Sequence, residues 1–368
     1  GQDVVSFGAG EPDFPTPENI CRAAKAAIDE GKTRYTAASG LTELKEAVSR
    51  KFRDFNHMEY QPSQIIISNG GKHSLTNVFE AILNPGDEVL IPAPFWLSYP
   101  EIVRLAGGVP VTITCRSEDQ YKLRPEALRA AVTPKTKALI LNTPNNPTGM
   151  IYSADELRAI GEVAVEEDFY IVADDMYENL VYGGAKHVSI ASLSPEIYAR
   201  TITTSGVSKS YAMTGWRIGY TGSSPEIARL MGSIQSHQTS NPCTISQWAA
   251  LEALTGPQDT VEEMRQAFEK RCDLIYDRVC GAPLISAQKP QGAFYIFVDC
   301  SEVVGRKYQG RTIEDAAAIA GILISDFKVA AVPCADFGFP NHMRLSYAIS
   351  EEDINKGMDR IVDFLKQV

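Results

Sequence analysis

Short apolar runs and amphipathic segments alternate along most of this chain. Between the runs, apolar residues recur at helical spacing, as Leu44, Val48 and Phe52 do. Buried strands that alternate with helices are typical of a parallel sheet covered on both faces. The pattern predicts an α/β fold with a mostly parallel sheet, whose strands are 64–68, 88–93, 109–115, 136–142, 169–175, 201–206 and 216–222.

Two segments carry helix-boundary signals. In the first, Thr16 is placed to cap a helix, Pro17 to occupy its first turn and Gly31 to end it. In the second, Ser350 is followed by three acidic residues, which is the capping pattern of a last helix.

The pattern changes in the last third of the chain. A long amphipathic stretch, 260–280, leads into single apolar runs that are separated by helices. This arrangement predicts a smaller α+β domain at the C-terminal end. We expect a large domain formed by 16–269 and a small domain formed by 1–15 together with 270–368.

Composition and charge exclude several classes of protein. The 368 residues are 44% hydrophobic and 22% charged, as in ordinary globular proteins. The net charge of -11 argues against nucleic acid or an anionic membrane as a partner. The sequence has no apolar run long enough to span a membrane and no export signal. The chain begins directly in a strand-and-turn pattern, so we expect a preceding segment to be absent from it.

The seven cysteines form no CxxC pair and lie scattered through apolar stretches. Such cysteines are typical of reduced thiols in a cytoplasmic protein, not of a disulfide framework or a metal site.

Polar side chains follow successive predicted strands, and ligands bind at these strand ends in an open parallel sheet. Taken singly, each has an ordinary explanation, because most lysines are solvated and stretches such as "NNPTG" form turns. Their joint occurrence favours a shared site. The residues concerned are Gly70, Gly71, Lys72, Trp96, Asn146, Asp174, Tyr177 and Lys209.

Nucleotide-binding motifs do not account for this site. The stretch 8–13 lacks the third glycine of GxGxxG, and neither Lys72 nor Lys209 lies in a GxxxxGK loop. A different organic phosphate fits better, because "NGGKHS" leads into a helix whose amides favour a phosphate dianion. Arg217 could add a bidentate contact to the same group.

The remaining polar groups suit a pyridine aldehyde phosphate. Lys209 could form a Schiff base with the aldehyde. Asp174 could keep a ring nitrogen protonated, Tyr177 and Asn146 could bind a ring hydroxyl, and Trp96 could stack on the ring.

With these residues in place, the chain resembles the class I and II aminotransferases, which are pyridoxal-phosphate enzymes of fold type I. It resembles most the branch that includes bacterial aspartate/prephenate aminotransferases. The resemblance implies the PLP transferase fold and pyridoxal 5'-phosphate as cofactor. The stretches that carry it are "GAGEPDFPTP", "YTAASG", "NGGKHSL", "PFWLSYP", "NTPNNPTG", "ADDMYENL", "SKSYAMTGWRIGY", "PQGAFYIF" and "MRLSYA".

The resemblance implies a role for each matching residue. Lys209, Asp174 and Tyr177 would be the catalytic residues, with Lys209 as Schiff-base lysine and proton shuttle. Arg344 would clamp the α-carboxylate of the substrate, and Lys72 its distal carboxylate. The other implied cofactor-binding residues are Gly70, Gly71, Lys72, Trp96, Asn146, Ser208 and Arg217, and the other implied substrate-binding residues are Gly10, Thr16, Trp96 and Asn146.

Tyr35 would reach the phosphate of the neighbouring subunit, so the resemblance also implies a homodimer with shared active sites. Two features depart from the family pattern. Gly206 stands where many relatives have a serine, although Ser205 and Ser208 flank it. We also expect the N-terminal arm, which in the family docks on the partner and helps cover the substrate, to be absent from the sequence given.

The implied reaction is a ping-pong exchange of amino groups between aspartate and 2-oxo acids, with prephenate, arogenate and glutamate as further substrates. An aromatic or kynurenine aminotransferase and a cysteine-conjugate β-lyase are alternatives on the same scaffold. A cofactor-binding regulator without turnover is a third hypothesis, but the sequence has no basic helix-turn-helix segment. Lys72 favours aspartate, because a position that needs only a backbone amide carries an ammonium group here.

Overall fold

The computed structural model describes residues 3–368. The strands are β1 Val5–Ser6, β2 Ile65–Ser68, β3 Glu88–Ala93, β4 Val109–Thr114, β5 Thr136–Asn142, β6 Tyr170–Asp174, β7 Thr201–Gly206, β8 Gly219–Gly222, β9 Ser286–Ala287, β10 Tyr295–Asp299, β11 Lys307–Tyr308, β12 Arg311–Thr312, β13 Val329–Ala330, β14 Val332–Pro333 and β15 His342–Ser346. The helices are α1 Glu18–Asp29, α2 Thr42–Asp54, α3 Gly71–Ile82, α4 Ser98–Leu105, α5 Pro125–Ala131, α6 Ala154–Glu166, α7 Pro195–Arg200, α8 Pro225–Gln238, α9 Thr244–Thr255, α10 Asp259–Cys280, α11 Ala316–Asp326 and α12 Glu351–Leu365.

A seven-stranded sheet in the order β2-β8-β7-β6-β5-β3-β4 forms the centre of the molecule. Its strands run parallel except β8, which is antiparallel to both of its neighbours. The sequence-based prediction of a mostly parallel sheet is confirmed.

Helices cover both faces of this sheet, because alternate side chains of each strand point to opposite faces. Val89, Ile91 and Ile140 pack with residues of α3, α4 and α8 in one core cluster. Leu90 and Leu139 pack with residues of α5 and α6 in another. Both faces are therefore apolar, which explains the unbroken apolar runs in the sequence.

A second, four-stranded antiparallel sheet has the order β14-β15-β10-β9 and packs against α10. The N-terminal strand β1 pairs with β13, where Val5 lies opposite Val329. The first two residues of the predicted segment 1–15 lie outside the described residues.

Two local predictions are wrong, and one is confirmed. Thr16 does not cap α1, since Pro17 is the N-cap residue and makes no side-chain bond to the helix. Strand β8 begins at Gly219 instead of residue 216, because Arg217 takes a left-handed conformation with φ 58°. Ser350 caps α12 as predicted, with its Oγ accepting a bond from the backbone N–H of Asp353 at 3.0 Å.

Over residues 3–368, none of the helices combines the length and the apolar character that a membrane span requires.

Candidate active site

A cavity of about 300 Å³ opens at the carboxyl ends of β5 and β6. The strand register places Asn142 opposite Asp174, and these two residues end their strands at the same level. The cavity brings together eleven residues singled out from the sequence, which are Gly10, Gly71, Lys72, Trp96, Asn146, Asp174, Tyr177, Ser208, Lys209, Arg217 and Arg344.

Asp174 is a buried carboxyl group with two hydrogen-bond donors. The hydroxyl of Tyr99 donates to its Oδ2 at 2.7 Å, and the backbone N–H of Met176 donates to its Oδ1 at 3.2 Å. Burial raises the pKa of Asp174 to about 6, and these two hydrogen bonds oppose that rise. The carboxyl group therefore stays ionised near neutral pH despite its burial.

Lys209 follows strand β7, and its ammonium group donates to the carbonyl oxygen of Gly10 at 2.6 Å. Burial lowers the pKa of Lys209 to about 8, while the charge of Glu11 opposes that shift. A lysine with such a pKa is partly neutral near physiological pH, as a nucleophile or a general base must be.

Gly70 and Arg217 form a cradle at the N terminus of α3. Gly70 has φ 88°, and a Cβ atom there would lie 2.4 Å from Nη2 of Arg217. The guanidinium group donates from Nη1 to the carbonyl of Thr214 at 2.7 Å. Because the first amides of a helix have no intrahelical partner, this end of α3 with its adjacent guanidinium suits an anion.

Arg344 lies at another part of the cavity wall, on β15. Its Nη1 donates to Oδ1 of Asn146 at 3.0 Å, and its guanidinium carbon lies 4.4 Å from the ring centroid of Tyr295. Its buried Nε atom has no hydrogen-bond partner among residues 3–368. A buried guanidinium group with a free donor suits a carboxylate.

Lys72 is exposed at the rim of the cavity. Its Nζ atom lies 5.0 Å from the ring centroid of Trp96, and no carboxylate of the described residues pairs with it. The ammonium group is therefore available to a ligand in the cavity.

Three of the predicted site residues lie outside the cavity lining. The hydroxyl of Thr16 donates to the carbonyl of Ala212 at 2.6 Å and accepts from Nε1 of Trp216 at 3.0 Å. Both bonds hold the hydroxyl outside the cavity lining, and the implied substrate-binding role of Thr16 stays a prediction. Gly70 lies behind Arg217, and the side chain of Tyr35 is 90% exposed.

Sequence reasoning missed three residues that complete the site. Tyr99 holds Asp174, and the Tyr295 hydroxyl lies 3.0 Å from the Tyr177 hydroxyl. The side chain of Asn142 accepts from the backbone N–H of Asn146 at 2.8 Å. Tyr99 and Tyr295 lie in the stretches "PFWLSYP" and "PQGAFYIF", which carry the family resemblance. The stretches pointed to both tyrosines, but the sequence did not indicate what either hydroxyl binds.

The chain belongs to the aminotransferase class I and II family, whose model matches residues 2–361. This family consists of enzymes and implies a pyridoxal phosphate cofactor.

Individual relatives are similar over the full chain. It is 49% identical over 366 residues to the aspartate aminotransferase of Geobacillus stearothermophilus, with 100% of this chain and 92% of that protein covered. It is 48% identical over 366 residues to the aspartate/prephenate aminotransferase of Cereibacter sphaeroides, covering 99% of this chain and 92% of that protein. The crystal structure of the aspartate aminotransferase from Rhizobium meliloti superposes with a TM-score of 0.97 at 42% identity, with 100% of this chain and 92% of that chain covered.

Proposed function

We propose that this protein is a pyridoxal-phosphate-dependent aminotransferase that exchanges amino groups between aspartate and 2-oxo acids. One observation carries the choice of aspartate. Two cationic side chains, Lys72 and Arg344, line the same cavity, and neither pairs with a carboxylate of residues 3–368. A substrate with two carboxylates would satisfy both, and the names of the similar proteins agree with that choice.

The residues of the cavity fit the cofactor. The N terminus of α3 and Arg217 would hold its phosphate, with Ser208 beside them. The buried carboxylate of Asp174 would hold its ring nitrogen, and Tyr177 with Asn146 would hold its ring oxygen. Lys209 would hold its aldehyde, and the bound cofactor would supply an electron sink for the substrate.

The side chains of this protein would then divide the work on the substrate. Arg344 would bind the α-carboxylate and so orient the α-carbon. The neutral amine of Lys209 would move the α-proton as general base and acid, which its pKa of about 8 permits. Asp174 would keep the proton on the ring nitrogen, because its carboxylate lies in a buried site.

We also propose the division into a large domain, 16–269, and a small domain, 1–15 with 270–368. The cavity lining supports it, since Gly10 and Arg344 come from the proposed small domain and Lys209 from the large one. A cytoplasmic homodimer with shared sites completes the proposal, in which Tyr35 serves the partner's phosphate.

Lys72→Met tests the substrate. The substitution keeps the backbone amide and removes the charge. A hydrogen bond to a charged group contributes roughly 1.5–3 kcal/mol, so kcat/KM for aspartate should fall roughly 10- to 150-fold. An aromatic donor has no second carboxylate and should change little. Steady-state rates with a panel of amino donors give this comparison.

Lys137→Met is the matched control, because the ammonium of Lys137 also lies near an aromatic ring, 5.5 Å from the centroid of Tyr170, but outside the cavity. It should leave every donor unchanged. An equal loss for aspartate and aromatic donors in Lys72→Met would assign Lys72 to the cofactor and favour the aromatic aminotransferase instead.

A further inference from the structure

A network of polar side chains lies buried beside the turn that carries Asp174 and Tyr177. Asp175 and Glu178 follow those two residues in the chain, are only 1% and 2% exposed, and do not line the cavity. The other members come from α2, the loop after it, the loop before α7 and strand β7, and they are Lys51, Asn56, His187, Ser189 and Ser205.

Glu178 is held from three sides. Its carboxylate pairs with the ammonium group of Lys51, accepts from Nδ2 of Asn56 at 2.7 Å and accepts from Oγ of Ser205 at 2.5 Å. Burial raises the pKa of Glu178, but the charges of Lys51 and His187 with these hydrogen bonds outweigh it and leave the pKa below its usual range. The group is therefore an anion inside the protein.

Asp175 is bound by a second set of donors. Ser189 Oγ donates to its Oδ2 at 2.7 Å, and Nε2 of His187 lies 3.2 Å from the same oxygen. Asn56 Nδ2 also donates to Ser189 Oγ at 2.8 Å, so one amide joins the two carboxylates into a single network.

The charges of this network balance when both carboxylates are ionised and His187 is protonated. Two buried carboxylates face one lysine, and an uncompensated buried charge is strongly destabilising. Burial lowers the pKa of His187, but the Asp175 and Glu178 carboxylates outweigh burial and the opposing Lys51 charge, so the pKa lies above its usual range. A metal ion could use the same donors, since atoms of Asp175, Glu178 and His187 lie within 4.8 Å of one another. The ammonium group of Lys51 already pairs with the Glu178 carboxylate, however. A proton on His187 supplies the second positive charge that the two carboxylates require.

We propose that this charge-balanced network is a positioning device, which fixes the turn 174–178 so that Asp174 and Tyr177 face the cofactor. The inference rests on the proposed function. The backbone supports the coupling, because the N–H of Asp175 donates to the carbonyl of Thr204 at 2.8 Å and the N–H of Glu178 to that of Asp175 at 3.0 Å. The charged side chains therefore anchor the same residues that close the turn.

A double-mutant cycle on Lys51→Met and Glu178→Gln tests this inference. Each single change leaves one buried charge without its partner, whereas the double change removes both, so the double variant should be less impaired than either single variant. Each single variant should lose roughly 10- to 100-fold in kcat, with KM for aspartate within about twofold, because displacing catalytic groups by about 1 Å has such effects. A uniform loss of thermal stability with unchanged kcat would overturn the proposal.

The partly buried pair Lys122–Glu156, whose charged atoms lie 2.7 Å apart outside the cavity, provides the matched cycle. Lys122→Met and Glu156→Gln should leave kcat unchanged. If they reduce kcat as much as the network variants do, the effect is general destabilisation and the positioning role is wrong.

Two further measurements use the protein without cofactor and separate this inference from the proposed function. Hydrogen exchange at the amides of 175–180 should accelerate in Lys51→Met, while exchange in α6 stays unchanged. NMR titration should give His187 a pKa above the usual range of histidine. In Asp175→Asn this pKa should fall by more than about one pH unit. Unchanged hydrogen exchange at 175–180 in Lys51→Met would refute the network as described. So would one equivalent of metal that binds to the wild-type protein and not to Asp175→Asn. Either result would stand even if the wild-type enzyme transaminates.

Discussion

At the scale of single residues, Tyr99 controls the ionisation of Asp174. The pKa of Asp174 lies above its ordinary value of 3.8, at about 6, so the folded state binds this proton more tightly than the unfolded state. The group therefore lowers stability as pH rises from about 4 through about 6. The Tyr99 hydroxyl limits that loss, because a hydrogen bond to the anion stabilises it.

Tyr99→Phe should therefore cost little stability at about pH 4 and roughly 1.5–3 kcal/mol more at about pH 8, since a bond to a charged group is lost. Urea unfolding at both pH values gives the difference. The same substitution in an Asp174→Asn background is the control and should remove the pH dependence. A loss of equal size at both pH values would show that Tyr99 acts by packing alone.

Lys209 carries the most direct test of the chemistry. Lys209→Ala should retain pyridoxal phosphate without a covalent bond and lose at least roughly 10²- to 10⁴-fold in turnover, because its amine is the proposed proton carrier. Borohydride treatment followed by mass spectrometry should label the wild-type peptide 208–217 and leave the variant unlabelled. Lys137→Ala should behave as wild type. Near-normal turnover in Lys209→Ala would contradict the proposed mechanism.

The site residues predicted from the sequence are those whose side-chain type suggests a ligand even when the neighbouring residues are unknown. Lys209, Asp174 and Asn146 follow predicted strands and suggest a ligand by their charge and polarity, whereas Arg344 was found only through the family resemblance. Tyr99 and Tyr295 suggest no ligand, because a tyrosine in an apolar stretch is usually part of the core, and only the fold places its hydroxyl beside Asp174 or Tyr177. The bonds of the Thr16 hydroxyl were equally hidden in the sequence, since their partners Ala212 and Trp216 lie about two hundred positions away.

At the scale of elements, the apolar runs predicted the strands well because both faces of the sheet are buried. Strands β3, β5 and β7 have the predicted bounds. The start of β8 was wrong, because Trp216 and Arg217 look like strand residues and the left-handed turn that Arg217 forms has no sequence signal. The left-handed turn directs the guanidinium group of Arg217 towards the N terminus of α3. The late start of β8 is therefore part of how the chain forms the anion cradle.

Gly70→Ala should damage this cradle. The added Cβ atom meets a left-handed backbone and the Arg217 guanidinium at 2.4 Å, so we expect a loss of stability above the roughly 1–3 kcal/mol of backbone strain, with weaker binding of inorganic phosphate. Gly86→Ala is a matched control, because Gly86 has φ 89° and no atom within 4 Å of an added Cβ. Thermal unfolding and phosphate titration compare the two. If Gly70→Ala and Gly86→Ala lose the same stability and bind phosphate equally well, Gly70 is not part of the anion cradle.

At the scale of the whole molecule, the fold class followed from the alternation of elements, but the strand pairing that joins the two chain ends did not. The pairing of β1 with β13 joins residues more than three hundred positions apart, and two-residue strands leave no periodic signal. The same limit applies to the contacts of the proposed dimer, where the sequence offers only an aromatic residue in a polar stretch.

Tyr35 is that residue, and its exposure agrees with a role outside its own subunit. Its side chain is 90% exposed, yet its neighbours are fixed, because Thr244 donates to the carbonyl of Arg34 at 2.7 Å and Gln247 donates to Thr36 at 3.3 Å. An exposed aromatic side chain on an anchored segment suits a contact with a second copy of the chain. Light scattering of the wild-type protein should show a dimer.

Mixed dimers decide whether Tyr35 serves the partner's site. If it acts across the interface, a dimer of one Lys209→Ala subunit and one Tyr35→Phe subunit keeps one intact site, because the intact Lys209 receives Tyr35 from the other chain. It should bind pyridoxal phosphate at that site as tightly as wild type. A dimer of one wild-type subunit and one subunit with both changes should bind roughly 10- to 150-fold more weakly at its only competent site, since a bond to a charged phosphate is lost. The opposite ranking would place Tyr35 in the site of its own subunit and refute sharing.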